Sequence, residues 1–246
     1  MRRALSDVGS QVRLLDADPD LADAVDGERR AEALERSPVG TLNLGSGDWR
    51  EAEQFGGDDV ALYVISGFLS RRVEIGDGSS VELLGPGQVL RPALSGGEDA
   101  VSGRVGWQIL SPAWLAVLDL PFWETMAPYP RVALGLLDRV VWRSRSLSIQ
   151  LAIAGSGNLC ERILGLLWHL AGSYGRVARG GVILPVNLSH EILAQMVAAT
   201  RPPVSLAVKQ LEREGLISRG EGRGFVLHGP TRPATEGARP MAALGL

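Results

Sequence analysis

The sequence predicts an α+β protein in which an antiparallel β domain is followed by one long helix and a small helical domain. Between Val39 and Leu118, short apolar runs recur about every ten residues and are separated by Gly and Pro, which is typical of an antiparallel sandwich or barrel. From Pro130 onward the apolar residues recur every three to four positions, which is the spacing of helices. A chain of 246 residues has room for one or two such domains.

Composition excludes several classes of protein. An apolar fraction of 45% and a charged fraction of 22% are ordinary for a globular chain and argue against disorder and fibrous proteins. The single cysteine, Cys160, excludes an internal disulfide framework and any zinc or iron–sulfur site built from several Cys of one chain. With only three His in the chain, we predict no metal site and no haem.

Charge is distributed unevenly along the chain. The formal net charge is −3, but residues 1–127 carry 11 Lys and Arg against 21 Asp and Glu, which gives −10. Residues 128–246 carry 14 against 7, which gives +7. Such asymmetry suggests two modules with different partners. A GC-rich genome would by itself also raise the number of Arg residues.

Targeting signals are not evident in the sequence. The basic residues Arg2 and Arg3 are not followed by the apolar stretch of a signal peptide. No run of 18 apolar residues occurs, so we expect no membrane span and a cytoplasmic location.

The helical pattern that starts at Pro130 continues without a breaker to Gly155 and predicts a helix of some 25 residues that is apolar on more than one side. One side can face the β domain of its own chain, and the other can face the same helix of a second subunit across a two-fold axis. The alternative is that both sides are buried within one chain. For the dimer, the predicted contact residues are Val132, Leu136, Val140, Leu147 and Leu151.

Residues 188–228 contain the pattern of two short helices and a β hairpin. Ser189 is a natural N-cap for the first helix, and Thr200 is placed to cap the second after a turn of small residues. Pro202 and Pro203 lie in the first turn of the second helix, where missing N–H groups cost nothing. Two β segments around 220–224 then predict a wing. The whole is a winged helix-turn-helix, in which the second helix enters the DNA major groove.

Several stretches resemble the cAMP receptor protein/fumarate-nitrate regulator (CRP/FNR) family of bacterial transcription factors. The match is strongest over 199–205 and 211–217, and it extends to 159–167, 184–186 and, in the β domain, 62–67 and 84–90. The resemblance implies a cyclic-nucleotide-binding-like β-roll, a long dimerisation helix and a C-terminal winged helix-turn-helix. The predicted domains are an acidic N-terminal arm (1–36) that either docks or frays, the β-roll (37–127), the dimerisation helix (128–156), the winged domain (157–230) and a loose tail (231–246).

The sequence departs from this family in both domains. Family members that bind cAMP carry a Gly-Glu pair followed about ten residues later by an Arg and a small residue, whereas here Gly97-Glu98 is followed too soon by Arg104 and Val105. We therefore expect no cAMP dependence and no resident cofactor. In the second helix, Pro202 and Leu206 replace a Glu and an Arg common in the family, so the base preference should differ.

The leading hypothesis is a homodimeric, sequence-specific DNA-binding regulator, not an enzyme, whose recognition helix spans about Arg201–Glu214. Its partners are a two-fold-symmetric double-stranded DNA operator and, as a further candidate, RNA polymerase. The alternative is a ligand- or protein-responsive sensor whose helix-turn-helix makes only protein contacts. The predicted DNA-contacting residues are Ser189, His190, Thr200, Arg201, Pro202, Pro203, Ser205, Leu206, Lys209, Arg219 and Arg223.

Overall fold

The computed structural model describes residues 9–55, 60–92, 103–220 and 224–229. They divide into two compact units, each described here by itself. The N-terminal unit holds the described residues of Met1–Gly76 and Leu83–Arg145, and the C-terminal unit holds Asp77–Glu82 and those from Ser146 onward. The Gly97-Glu98 pair, Arg223 and the predicted tail lie outside the described residues.

The first sheet has seven described strands, most of which lie in the N-terminal unit. Its main path runs β1-β2-β7-β4-β5, with β3 paired to β7 and β6 paired to β4. The strands are β1 (Gln11–Arg13), β2 (Pro38–Leu44), β3 (Gly47–Asp48), β4 (Ala61–Ile75), β5 (Gly78–Leu84), β6 (Val89–Leu90) and β7 (Arg104–Leu118). This antiparallel architecture confirms the predicted β domain.

The central strands β4 and β7 are longer than the sequence pattern predicts. The pattern divides each into two strands, with a turn at Ser66-Gly67 in the first. In the structure the chain continues through this point with a β-bulge, where the register between β4 and β7 shifts. Gly67 has a φ of +85°, and a Cβ there would lie 2.3 Å from the carbonyl oxygen of Pro112. Glycine therefore marks a bulge here and not a chain reversal.

Helices pack on both sides of this sheet and begin earlier in the chain than expected. They are α1 (Leu14–Ala17), α2 (Pro19–Asp23), α3 (Gly27–Glu35), a 3₁₀ helix (Arg50–Phe55), α4 (Leu120–Met126) and α5 (Pro130–Ala154). Leu14, Leu15 and Leu21 are fully buried in one apolar cluster with Val132 and Leu136 of α5. The segment predicted as an acidic arm is thus, over its described residues, part of the N-terminal core.

A buried polar cluster joins three parts of this unit. Asp18, which caps α2, accepts a hydrogen bond from the hydroxyl of Tyr63 in β4 and pairs with Arg139 of α5 at 2.5 Å. The side chains of Asp18 and Arg139 are each 9% exposed. Burial and the charge of Asp18 raise the pKa of Tyr63, so its hydroxyl stays protonated and donates. We call these three residues the Asp18 cluster.

The long helix α5 has the predicted length, but the residues predicted as dimer contacts do not all lie on its exposed side. Val132 and Leu136 are 0% and 3% exposed and pack in the core of their own unit. Their assignment as dimer contacts is wrong, because both lie on the face of α5 that the β domain covers. Val140 and Leu151 are exposed, and Leu147 is half-buried.

The C-terminal unit surrounds a second apolar core with helices and a four-stranded sheet of order β10-β11-β9-β8. Its elements after α5 are α6 (Leu159–Tyr174), β8 (Arg176–Ala178), β9 (Gly181–Leu184), α7 (His190–Met196), α8 (Arg201–Arg213), β10 (Ile217–Arg219) and β11 (Phe225–Leu227). Asn158 and Glu161 form a reciprocal capping box at the start of α6. The β8–β9 hairpin was not predicted.

Two kinds of feature are absent from the described residues. No helix among them has the length and apolar character needed to span a bilayer. Within the same part of the chain, no group of three or more His, Cys, Asp or Glu side chains is arranged to hold a metal ion.

Breaking the Asp18 cluster should destabilise the N-terminal unit strongly. We expect Asp18→Asn or Arg139→Met to lower the free energy of unfolding by about 3–5 kcal/mol, because each leaves its former partner buried without a counter-charge. Chemical denaturation measures the effect. Arg13→Ala is the control, since its ion pair with Asp16 is about half exposed and is worth under about 1 kcal/mol. Equal losses in the control and the cluster variants would contradict the prediction.

Candidate nucleic-acid interface

The first helix of the motif, α7, begins where its cap residue predicts. The hydroxyl of Ser189 accepts a hydrogen bond from the backbone N–H of Ile192 at 3.1 Å. Ile192, Leu193 and Met196 point into the core of the unit, as their spacing indicates. The cap fixes where α7 begins, and the burial of these three residues fixes which side of α7 faces the solvent.

The turn between α7 and α8 depends on a left-handed residue and on a half-buried arginine. Ala198 has a φ of +51°, which is an uncommon conformation for a residue with a side chain. Arg162 of α6 donates to the carbonyl oxygens of Val197 at 3.1 Å and Ala154 at 3.2 Å. One guanidinium thus holds both the turn and the last residue of α5. Sequence patterns did not single out Arg162, which occurs on an ordinary amphipathic helix.

The second helix, α8, starts at Arg201 with two prolines in its first turn. Thr200 occupies the N-cap position, but its side chain makes no capping hydrogen bond. The proposed capping role of Thr200 is therefore corrected: Pro202 and Pro203 have no N–H to offer, so fewer donors need a cap. The Thr200 residue is exposed at the end of the turn.

One face of α8 packs inward and the opposite face is open. Val204, Ala207, Val208 and Leu211 are buried, as the sequence predicts. Leu206 is 69% exposed, and a shallow groove runs beside it along the outer face of the helix. The residues that line this groove are Leu206, Lys209, Gln210, Glu212 and Arg213. Gln210 and Arg213 were not predicted as DNA-contacting residues. Gln210 follows Leu206 by four positions and Arg213 follows Lys209 by four, and this spacing indicates that they share the same face of α8.

The wing follows α8 after a helix-ending glycine. Gly215 has a φ of +69°, and the N–H of Leu216 returns to the carbonyl of Leu211 at 3.0 Å. Strands β10 and β11 then pair antiparallel, and the N–H of Gly220 bonds to the carbonyl of Gly224 at 3.0 Å. The two predicted β segments are confirmed, while Arg223 at the tip lies outside the described residues.

Arg219, at the end of β10, is held by three neighbours. Its Nε lies 3.5 Å from a carboxylate oxygen of Glu212, and its Nη2 lies 3.2 Å from Nε2 of His190. The guanidinium carbon lies 4.1 Å from the ring centre of Phe225, a cation–π geometry. Arg219 therefore fixes the wing strand against both helices of the motif.

His190 connects to the recognition helix as well as to the wing. Its Nδ1 lies 2.8 Å from the hydroxyl oxygen of Ser205, which also donates to the carbonyl of Arg201 at 3.1 Å. Burial lowers the pKa of His190, and the positive charge of Arg219 lowers it further. The imidazole is therefore neutral near pH 7, which suits hydrogen bonding inside the protein.

The structure thus divides the predicted residues into two groups. One group meets at the base of the wing, and it consists of Ser189, His190, Arg201, Ser205 and Arg219. The other group lines the start and outer face of α8, and it consists of Thr200, Pro202, Pro203, Leu206 and Lys209.

Sequence and structure comparisons agree with this geometry. Residues 161–232 match the family model of the Crp-like helix-turn-helix domain. A search of curated protein sequences finds no match to the chain. FixK2 from Bradyrhizobium japonicum has a similar structure, with a TM-score of 0.59, 19% identity and coverage of 79% of this chain and 94% of that chain.

Two further solved structures share the fold. The c-di-GMP-responsive global regulator CLP from Xanthomonas campestris has a TM-score of 0.56 and 20% identity over 81% of this chain and 99% of that chain. A cyclic nucleotide-binding domain containing protein from Listeria monocytogenes EGD-e has a TM-score of 0.59 and 18% identity, covering 85% of this chain and 96% of that chain. At these identities the likeness establishes the fold.

The fold and the motif define a chain with a winged helix-turn-helix. More particularly, residues 161–232 form a Crp-like helix-turn-helix domain, and the chain has the fold of the solved structures FixK2 and CLP. The resemblance found in the sequence is confirmed for this domain and for the fold.

Proposed function

We propose that the protein acts in the cytoplasm as a homodimer that binds a two-fold-symmetric double-stranded DNA operator and regulates transcription without cAMP. The observation that carries the proposal is the open face of α8, where basic side chains flank an exposed apolar one beside the anchored Arg219. The role is regulatory and not catalytic. RNA polymerase is a further candidate partner, to which no surface is assigned.

The residues on this face suit DNA by their hydrogen-bonding chemistry. Arg201 and Lys209 offer only donors, which match phosphate oxygens and the acceptors of guanine. Leu206 can contact a thymine methyl group. Because α8 of each subunit would enter a major groove on the same side of the duplex, the two half-sites should lie about 34 Å apart, one helical turn.

Removing either basic side chain should weaken DNA binding and its salt dependence. We expect Arg201→Ala and Lys209→Ala each to reduce operator affinity, and each lost phosphate contact to lower the slope of log affinity against log salt by about one. Fluorescence anisotropy with a site selected from a random DNA library measures both quantities.

The matched control is Arg179→Ala. Arg179 is equally exposed but lies in the β8–β9 turn, at the opposite end of the sheet from the wing. Its loss should leave affinity and slope unchanged. Unchanged binding in both test variants would contradict these contacts, and a wild-type protein that selects no DNA would favour the protein-contact alternative.

The dimer contact is proposed for the outer face of α5. Leu137, Val141 and Leu151 are 54%, 59% and 76% exposed, and Leu134 is also exposed. Several exposed apolar side chains along one helix indicate an interaction site. Val140 lies beside this stripe and Leu147 is half-buried, so these two predicted residues flank the contact.

The spacing on α5 supports a second copy of the same helix as the partner. Successive residues of the stripe are separated by three, four, three, four and three positions, which is a heptad pattern; they are Leu134, Leu137, Val141, Ser144, Ser148 and Leu151. A heptad seam is complementary to itself, as a two-fold contact requires. The two serines are small and allow the helices to approach closely.

Charged residues on this stripe should separate the dimer. We expect Leu137→Glu/Val141→Glu to sediment as a monomer and to lose operator affinity, because the like charges would face each other across the two-fold axis. Val177→Glu is the control, since Val177 is an exposed apolar residue that belongs to β8 and not to α5. Analytical ultracentrifugation distinguishes the outcomes, and a double variant that remains dimeric would contradict the proposed seam.

Independence of cAMP is proposed from the interior of the β-roll. Trp49, Phe55 and Trp107 are buried together there, with ring centres about 6 Å apart. Trp107 donates from its indole nitrogen to the carbonyl of Pro92 at 3.2 Å. The side chain of Arg104 is 88% exposed, so it offers no buried charge to a cyclic phosphate.

A direct titration tests this part of the proposal. Operator affinity should be the same with and without cAMP, and calorimetry should detect no cAMP binding to the DNA-free dimer. A cAMP-dependent gain in affinity of tenfold or more would contradict it.

A further inference from the structure

A continuous chain of hydrogen bonds crosses the base of the wing. It runs from Nη2 of Arg219 to Nε2 of His190 over 3.2 Å, and from Nδ1 of His190 to Oγ of Ser205 over 2.8 Å. It ends with a bond from Ser205 Oγ to the carbonyl of Arg201 over 3.1 Å. The chain therefore joins β10, α7 and α8, the three elements that would face DNA.

The donors in this chain can point in only one direction. Arg219 has no acceptor atom, so Nε2 of His190 must accept and carries no hydrogen. In a neutral imidazole the hydrogen is then on Nδ1, which donates to Ser205. The hydroxyl hydrogen of Ser205 is directed to the carbonyl of Arg201, which can only accept.

The charges around His190 favour the neutral ring that this direction needs. Arg219 approaches from β10, and Arg201, Lys209 and Glu212 approach from α8. Burial and the three cations lower the pKa of the imidazole, while Glu212 opposes them. Glu212 is itself paired with Arg219, which leaves the cations in excess near the ring.

We infer that His190 is a positioning residue that sets the hydrogen-bonding polarity of the DNA interface. It orients the Arg219 guanidinium toward the backbone of the operator, and it leaves Ser205 with a free acceptor lone pair but no free donor. The inference rests on the proposed DNA-binding function and deepens it. It assigns to Ser205 a preference for the exocyclic amines of cytosine or adenine over the acceptor atoms of guanine or thymine.

Two substitutions of His190 separate its two roles. An Asn side chain places its amide near the position of Nδ1, so His190→Asn keeps a donor for Ser205 and removes the acceptor for Arg219. A Gln side chain reaches the position of Nε2, so His190→Gln keeps the acceptor and removes the donor. Equal melting temperatures show that neither variant disturbs the fold.

Library selection and anisotropy should give opposite results for these variants. His190→Asn should select the same base as the wild type at the position read by Ser205 but bind about three- to tenfold more weakly. Adding Arg219→Ala to it should cause a smaller loss than Arg219→Ala causes in the wild type. His190→Gln should keep most of the affinity and lose the base preference, as should Ser205→Ala.

The same change in both His190 variants, or an unaltered site for Ser205→Ala, would overturn the inference. A separate test uses the DNA-free protein, in which ¹⁵N NMR of the imidazole should show the hydrogen on Nδ1 at pH 7.5. A hydrogen on Nε2 would overturn the relay even if DNA binding holds. A wild-type protein that selects no DNA would instead refute the proposed function while the NMR result stands by itself.

Discussion

The buried ion pair between Asp18 and Arg139 is the interaction on which the N-terminal unit depends. A charge removed from water is tolerated only beside an opposite charge and with its other hydrogen bonds satisfied. Asp18 meets this requirement through Arg139 and Tyr63, and it also caps its own helix. The pairing therefore specifies how the N-terminal helices, strand β4 and the first half of α5 pack, because any other register would leave a charge uncompensated.

Ion pairing and hydrogen bonding also organise the proposed interface with DNA. Arg219 is not a freely moving side chain that waits for a phosphate, since Glu212, His190 and Phe225 already hold it. A side chain that is ordered before binding loses less conformational entropy on binding. Arg162 extends this order to the turn of the motif through the carbonyl of Val197. The interface is thus a set of positioned donors on a rigid support.

Sequence periodicity succeeded where one element has one buried side. On α8 the spacing of Val204, Val208 and Leu211 was enough to assign the inner face, because a single stripe meets a single core. Periodicity failed on α5, where Val132 and Leu137 belong to different faces and both are apolar. It also missed the β8–β9 hairpin, whose strands of three and four residues are too short to show alternation.

Sequence alone determined the α+β class, the long helix, both helices of the motif, the wing and the absence of a multi-cysteine cofactor site. These features depend on local spacing, on turn residues and on residue counts, all of which can be read directly from the sequence. Only the tertiary structure decided which face of α5 is covered, that Asp18 meets Arg139 across 121 positions, and that His190 links Ser205 to Arg219. These pairs join residues that are distant in sequence, so no local spacing pattern predicts the contact.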